Sequence, residues 1–320
     1  MSRIYEALQR AEAERQLERG ENAEETQPRI AENVHAAVSG RFAAPPAPVS
    51  AIAAATSTAL AEPPAQEQRA LQTAFPREIE ERPWQLSIDR LPALEHRGPA
   101  VEQFRSLRSR VQEFRAMNRL KSLLVSSGIP QEGKSFIAAN LAVSLALHKN
   151  NKVLLVDGDM RRSSLQEYFG FEATAGLADY LAGTAELAAV MQRPDASSRP
   201  SQAIAPILNN LVMIPAGNGG DKAADLAGSP RFEELLQRAA PHFDWIIVDS
   251  SPVLPVSDAV SMGRACDAVL LVARSNFTSF PVAQRAKHEL KASNIIGFVL
   301  NAVKNPPALN NYYTYESNTA

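Results

Sequence analysis

Five short runs of the chain are apolar at nearly every position, Val153–Val156, Leu211–Ile214, Trp245–Val248, Val269–Val272 and Ile295–Leu300, and Ser122–Ser126, with an apolar centre, adds a sixth candidate strand. A strand with one wet face alternates apolar and polar residues, so runs apolar on both faces predict strands buried on both sides. Helix-like segments separate most of them, including Lys134–Leu147, Phe232–Ala240 and Pro281–Ala292, and a helix over Pro99–Asn118 precedes the first. Strands spaced by helices predict an α/β fold, a parallel sheet covered by helices on both faces. There is no tandem repeat. Far upstream, Ser2 is placed to cap a helix over Arg3–Arg19, with Ile4, Leu8 and Ala11 on one stripe and Tyr5 beside them. Such a helix either frays in solvent or docks a partner.

Composition divides the 320 residues unequally. All eight lysines lie at Lys121 or later, and residues 41–70 hold eleven Ala and five Pro with four charged residues. That stretch has little to bury. The expected organisation is an amphipathic helix over 1–20, a disordered Ala/Pro/Glu-rich linker over 21–83, a folded domain over 84–304 and a flexible tail over 305–320. Order is expected to resume near Trp84 or Leu91. The formal charge of −2 gives no bulk attraction to nucleic acid, and the single cysteine, Cys266, excludes a disulfide framework. No apolar run approaches the ~20 residues of a membrane helix. The longest, Phe136–Leu147, is interrupted by Asn140 and Ser144. The N-terminal residues lack a signal-peptide apolar region, so the expected compartment is the cytoplasm.

The first strand runs into Gly128-Ile129-Pro130-Gln131-Glu132-Gly133-Lys134-Ser135, followed by Phe136. Gly128 to Ser135 fits G-x-x-x-x-G-K-[ST], the phosphate loop of nucleotide-binding proteins. Glycines let backbone wrap a phosphate, and successive N–H groups with a helix N-terminus present positive potential to it. Lys134 is placed for the β/γ-phosphates and the Ser135 hydroxyl for Mg²⁺. Two strands end in acids: Asp157 and Asp159 after Val156, and Asp249 after Val248. Parallel strands share a carboxyl edge where ligands bind, so these acids should converge on the loop. Mg²⁺ is held by one or two carboxylates plus phosphates, so these three acids can supply its ligands beside Ser135, with Asp157 and Asp249 as the candidate pair.

Together these residues resemble the bacterial tyrosine autokinases of capsule and exopolysaccharide export, from about Pro99 to Tyr315. The loop matches their Walker A region, Asp157-x-Asp159-x-Arg161 their second motif and Asp249-x-x-Pro252 their third. Val253–Ala259, Gly176–Gly183 and Gly297–Asn301 are also family-like. Ile129 stands where the related partition ATPases carry a signature lysine, and Phe136 replaces the usual second hydroxyl. The tail carries Tyr312, Tyr313 and Tyr315, half of the six tyrosines. The resemblance implies a P-loop fold and transfer of the ATP γ-phosphoryl group, with Mg²⁺, to those tail tyrosines. Lys134 would stabilise the transferring group, and Asp157 or Asp159 would orient or deprotonate the tyrosine. Residues 128–136, Arg161 and Asn301 would line the nucleotide, Asn301 at the adenine. Twelve residues from Leu300 to Tyr312 span at most about 40 Å, enough to reach a neighbour's site or the chain's own. Glu102, Arg105 and Arg108, at i, i+3 and i+6, match the family's E-x-x-R-x-x-R, which joins subunits into a ring. The implied partners are further copies of the chain, a membrane polysaccharide co-polymerase activating in trans and a cognate tyrosine phosphatase. The implied location is peripheral to the inner membrane. A partition-type ATPase switch and a nucleotide-gated scaffold stay open as alternatives.

Overall fold

A computed structural model of the chain describes residues 75–76, 78–148, 151–172, 175–198 and 210–304. The expected N-terminal helix, most of the linker and the tyrosine tail lie outside the described residues. Eight strands form one sheet: β1 (Glu80–Arg82), β2 (Ser122–Ser127), β3 (Val153–Asp157), β4 (Gln192–Pro194), β5 (Leu211–Ile214), β6 (Trp245–Asp249), β7 (Ala268–Arg274) and β8 (Ile295–Asn301). Their order is β1-β4-β5-β3-β6-β2-β7-β8. The six strands expected from the apolar runs make the contiguous parallel block β5 to β8.

The sheet departs from expectation at one edge. β4 pairs antiparallel with β5, and β1 pairs parallel with β4, so the sheet is mixed. These two strands are three residues long and polar, with Pro194 ending one of them, and carry no apolar run to read. β1 also brings folded chain ahead of the expected boundary at residue 84.

Among the described residues, five helices of eight residues or more flank the sheet: α1 (Pro99–Asn118), α2 (Lys134–Ala146), α3 (Pro230–Ala239), α4 (Asp258–Ala265) and α5 (Phe280–Glu289). Pro99 opens α1 at the position where its missing N–H costs nothing, and Arg119 closes it with a left-handed φ of 53°. Alternate residues of each central strand feed opposite cores. Leu123, Val125, Leu155 and Ile247 pack under α1 and α2, while Leu124, Leu154, Val156, Ile246 and Val248 pack with Phe232, Leu235 and Met262 of α3 and α4. α2 is buried nearly all round, which explains its almost unbroken apolar sequence. Its buried Asn140 accepts the Ala93 N–H (3.0 Å) and donates to the carbonyls of Phe136 (2.9 Å) and Arg90 (3.3 Å). The polar residue that interrupts the apolar run therefore ties α2 to the turn before α1.

Candidate active site

β2 sits between β6 and β7, so its carboxyl end opens in the middle of the sheet edge. The chain turns there through residues 128–133 into α2. Gln131 and Gly133 take left-handed φ of 67° and 94°. The φ of Gly133 strains any residue with a Cβ, and a Cβ there would also displace the Asn301 Nδ2, 2.1 Å away. On the other side Ala286 and Val282 of α5 abut Gly128.

Strand register brings the acids to this loop. Asp157 and Asp249 are direct partners on β3 and β6, and Val125 of β2 is the partner of Asp249 on the other side. All three acids are buried, Asp157 and Asp249 completely. The Lys134 Nζ lies 2.8 Å from the Asp159 Oδ2 and 3.8 Å from the Asp249 Oδ2, and donates to the Ser135 Oγ at 3.1 Å. Asp157 accepts from the Ser163 hydroxyl (2.8 Å) and the Asp159 N–H (3.2 Å), and Asp159 accepts from the Arg162 N–H (3.1 Å). Neither oxygen of Asp249 accepts a hydrogen bond of ordinary geometry, although the Ser135 hydroxyl and the Ser250 N–H lie close enough to favour its charged form.

The electrostatics follow from burial. Desolvation, with Asp249 next door, pushes Asp157 up to about 7 against the pull of Ser163 and Lys134. Desolvation likewise pushes Asp249 up to about 6, with Lys134 opposing. Burial draws Lys134 down, but the surrounding Asp249 and Asp159 charges outweigh it and hold the ammonium above its ordinary value. The site thus holds more buried negative charge than its own cation neutralises. The Ser135 hydroxyl, Asp157 and the unpartnered Asp249 oxygens are hard oxygen donors that fit Mg²⁺. No group of three or more His, Cys, Asp or Glu at ligand spacing occurs among the described residues, so phosphate oxygens would complete such a shell.

The other expected site residues have the following partners within the protein. Arg161 grips the buried Asp258 at the start of α4, through Nε to Oδ2 (2.8 Å) and Nη2 to Oδ1 (3.4 Å). Asn301, expected at the adenine, donates from Nδ2 to the Glu132 carbonyl (3.0 Å) and accepts the Ala302 N–H (2.8 Å). Glu132, 1% exposed, accepts the Ile129 N–H (2.7 Å) and the Thr278 hydroxyl. Phe136 packs edge-on against Phe104 of α1 at 5.6 Å. Glu102 and Arg105 pair with each other at the surface, whereas Arg108 turns inward to the Ser144 carbonyl of α2 (2.8 Å). Tyr312, Tyr313 and Tyr315 lie outside the described residues. Ser163, Asp258, Arg274 and Thr278 were not legible as site residues. Only the family-like run around Asp258 gave a signal.

Comparison with known proteins agrees with this geometry. The family model of an AAA domain matches residues 131–288. Tyrosine-protein kinase YwqD of Bacillus subtilis is 32% identical over 206 residues, covering 63% of this chain and 81% of that protein. Tyrosine-protein kinase wzc of Salmonella typhimurium is 32% identical over 207 residues, covering 64% of this chain but 27% of that protein. The chain therefore spans about a quarter of such longer relatives. The kinase domain of Escherichia coli tyrosine kinase ETK superposes with a TM-score of 0.60 at 28% identity, covering 74% of this chain and 86% of that one.

Proposed function

The chain belongs to the bacterial tyrosine-protein kinases, and from that membership we propose that it transfers the γ-phosphoryl group of ATP to tyrosines of its own tail, Tyr312, Tyr313 and Tyr315. The observation that carries the reading is the buried cluster of Lys134, Asp157, Asp159 and Asp249 against a phosphate loop. Phosphoryl transfer depends on alignment and charge neutralisation more than on covalent help. Lys134 moves from its carboxylates to the transferring phosphate. Ser135, Asp157 and Asp249 would hold Mg²⁺, which supplies charge neutralisation on the phosphates. The attacking tyrosine has a free pKa near 10, so an acceptor for its proton is needed. Asp157, raised toward neutrality by burial, or its neighbour Asp159 takes that part.

The proposed setting is a homo-oligomer formed through α1, activated in trans by a membrane polysaccharide co-polymerase and reset by a tyrosine phosphatase. Its output is control of capsule or exopolysaccharide polymerisation and export. Glu102 and Arg105 support the oligomer, because both reach solvent on α1. No described helix is long and apolar enough to cross a membrane, so membrane association is proposed to run through the partner.

The test is radiolabelled-ATP autophosphorylation with mass spectrometry of the C-terminal peptide. Lys134→Met should lower labelling by about two orders of magnitude, the scale of losing one pre-set charge stabiliser. Replacing Tyr312, Tyr313 and Tyr315 together by Phe should abolish tail labelling. Full labelling of either protein sinks the assignment. ATP hydrolysis without phosphotyrosine points instead to an ATPase switch.

A further inference from the structure

A phosphate loop works only if its N–H groups point at the phosphate. Each peptide unit here is trans, so a carbonyl and the following N–H point to opposite sides of one plane. Fixing a carbonyl outward therefore fixes the next N–H inward. Around this loop four carbonyls are held, but Pro130 has no N–H and the Ile129 N–H is taken by Glu132, so only the contacts at Gln131 and Glu132 turn the next N–H inward. The Leu254 N–H takes the Gly128 carbonyl (3.1 Å), and the Ser127 hydroxyl takes that of Ile129 (2.9 Å). The Arg274 Nη1 takes the Gln131 carbonyl (3.1 Å), and the Asn301 Nδ2 takes that of Glu132 (3.0 Å). The last two contacts come from the ends of β7 and β8. They aim the N–H groups of Glu132 and Gly133 away from those strand ends.

The Glu132 side chain closes the arrangement. A buried carboxylate in a loop that receives polyphosphate opposes the ligand's charge, so its presence calls for a compensating role. Its Oε2 holds the Ile129 N–H, and its Oε1 receives the Thr278 hydroxyl. Thr278 in turn accepts the Arg274 N–H at 2.8 Å. A continuous hydrogen-bonded chain thus runs from the end of β7 through Thr278 and Glu132 to the start of the loop. We infer that the side chains of Glu132, Thr278 and Arg274 are positioning groups: Arg274 holds the Gln131 carbonyl and Thr278 with Glu132 holds the Ile129 N–H, which together fix the loop so that the Glu132 and Gly133 amides face the phosphates, while the three side chains touch no nucleotide. This deepens the nucleotide-binding part of the proposal above and rests on it.

The experiment uses the full chain, N-methylanthraniloyl-ADP with Mg²⁺ as fluorescent probe, and steady-state kinetics. Thr278→Val removes a hydrogen bond to a buried charge, so probe affinity should fall about tenfold or more. Thr278→Ser keeps the hydroxyl and should bind within about twofold of wild type, a difference below that of one neutral hydrogen bond. In kinetics Thr278→Val should raise KM for ATP with kcat retained, a split that general destabilisation does not produce. The exposed Arg274→Met is the second variant, should Thr278→Val fold poorly, and is expected to weaken the probe. Wild-type affinity in the folded valine variant overturns the brace, as does an equal loss in serine and valine. Wild-type affinity in Arg274→Met alongside an unfolded valine variant overturns it too. Wild-type protein that binds probe without forming phosphotyrosine defeats the kinase reading and leaves the brace standing. An active wild type whose variants bind normally does the reverse, and a wild type that binds no probe overturns both.

Discussion

Asp249 illustrates how a single residue in this site trades stability for chemistry. Its carboxylate is fully buried, and only the Ser135 hydroxyl and the Ser250 N–H approach it, neither in ordinary hydrogen-bond geometry. Burying a charged group without partners is costly, and the Lys134 ammonium at 3.8 Å offsets only part of that cost. Asp249→Asn removes the charge and leaves Lys134 paired with Asp159. We expect this variant to melt at or above the wild-type temperature while losing Mg²⁺-dependent labelling, the usual sign of a destabilised active site. A clear drop in melting temperature would show that the Lys134–Asp249 pair is structural. Arg161 and Asp258 carry a matching lesson. The motif marks the arginine, but its partner lies 97 positions downstream and meets it only through the fold.

At the scale of elements, α1 carries two arginines with one sequence signature and two fates. Arg105 is exposed and paired with Glu102, a surface contact worth little to stability. Arg108 donates to the Ser144 carbonyl near the end of α2, where burial and the neighbouring Arg105 lower its pKa. Its guanidinium also suits the negative end of the α2 dipole. Arg108→Ala should therefore lower the melting temperature by about 2–4 °C per kcal/mol lost. Arg105→Ala should leave melting unchanged and reduce oligomer mass in light scattering. Equal melting of the two variants refutes the division. The i, i+3, i+6 spacing placed these side chains near one stripe, and it did so correctly. It could not say which one the neighbouring helix would claim. The long elements were readable for a plain reason: runs apolar on both faces have few other homes. β1 and β4 were not, because three polar residues become a strand only when an edge is offered to them.

For the whole molecule, the sheet gathers like charges that the unfolded chain keeps apart. Asp157 and Asp249 have folded-state values of about 7 and about 6, above the ordinary value of 3.8. A carboxylate raised on folding binds its proton more tightly in the native state. Its contribution to stability is therefore full below pH 3.8 and is lost as pH rises through 6 and 7. Metal-free protein in EDTA should melt progressively lower between pH 5 and pH 8, the window in which these two groups ionise. Added Mg²⁺ should restore much of the loss at pH 8, by binding the native state alone. A melting temperature that is flat with pH in EDTA would mean that burial does not raise these two acids.

The sequence by itself determined the parallel core, the loop over Gly128–Ser135 and the acids at strand ends. These are local properties: periodicity, glycine placement and a charge where an apolar run stops. Tertiary structure alone decided which polar groups are engaged inside the protein, and by which partners. Asn301 reaches back to Glu132 across 169 positions, and Thr278 reaches it across 146. Such pairings depend on β7 lying beside β2 in the sheet, with β8 next to β7. That neighbourhood comes from burying six apolar strands at once, and no single segment encodes it.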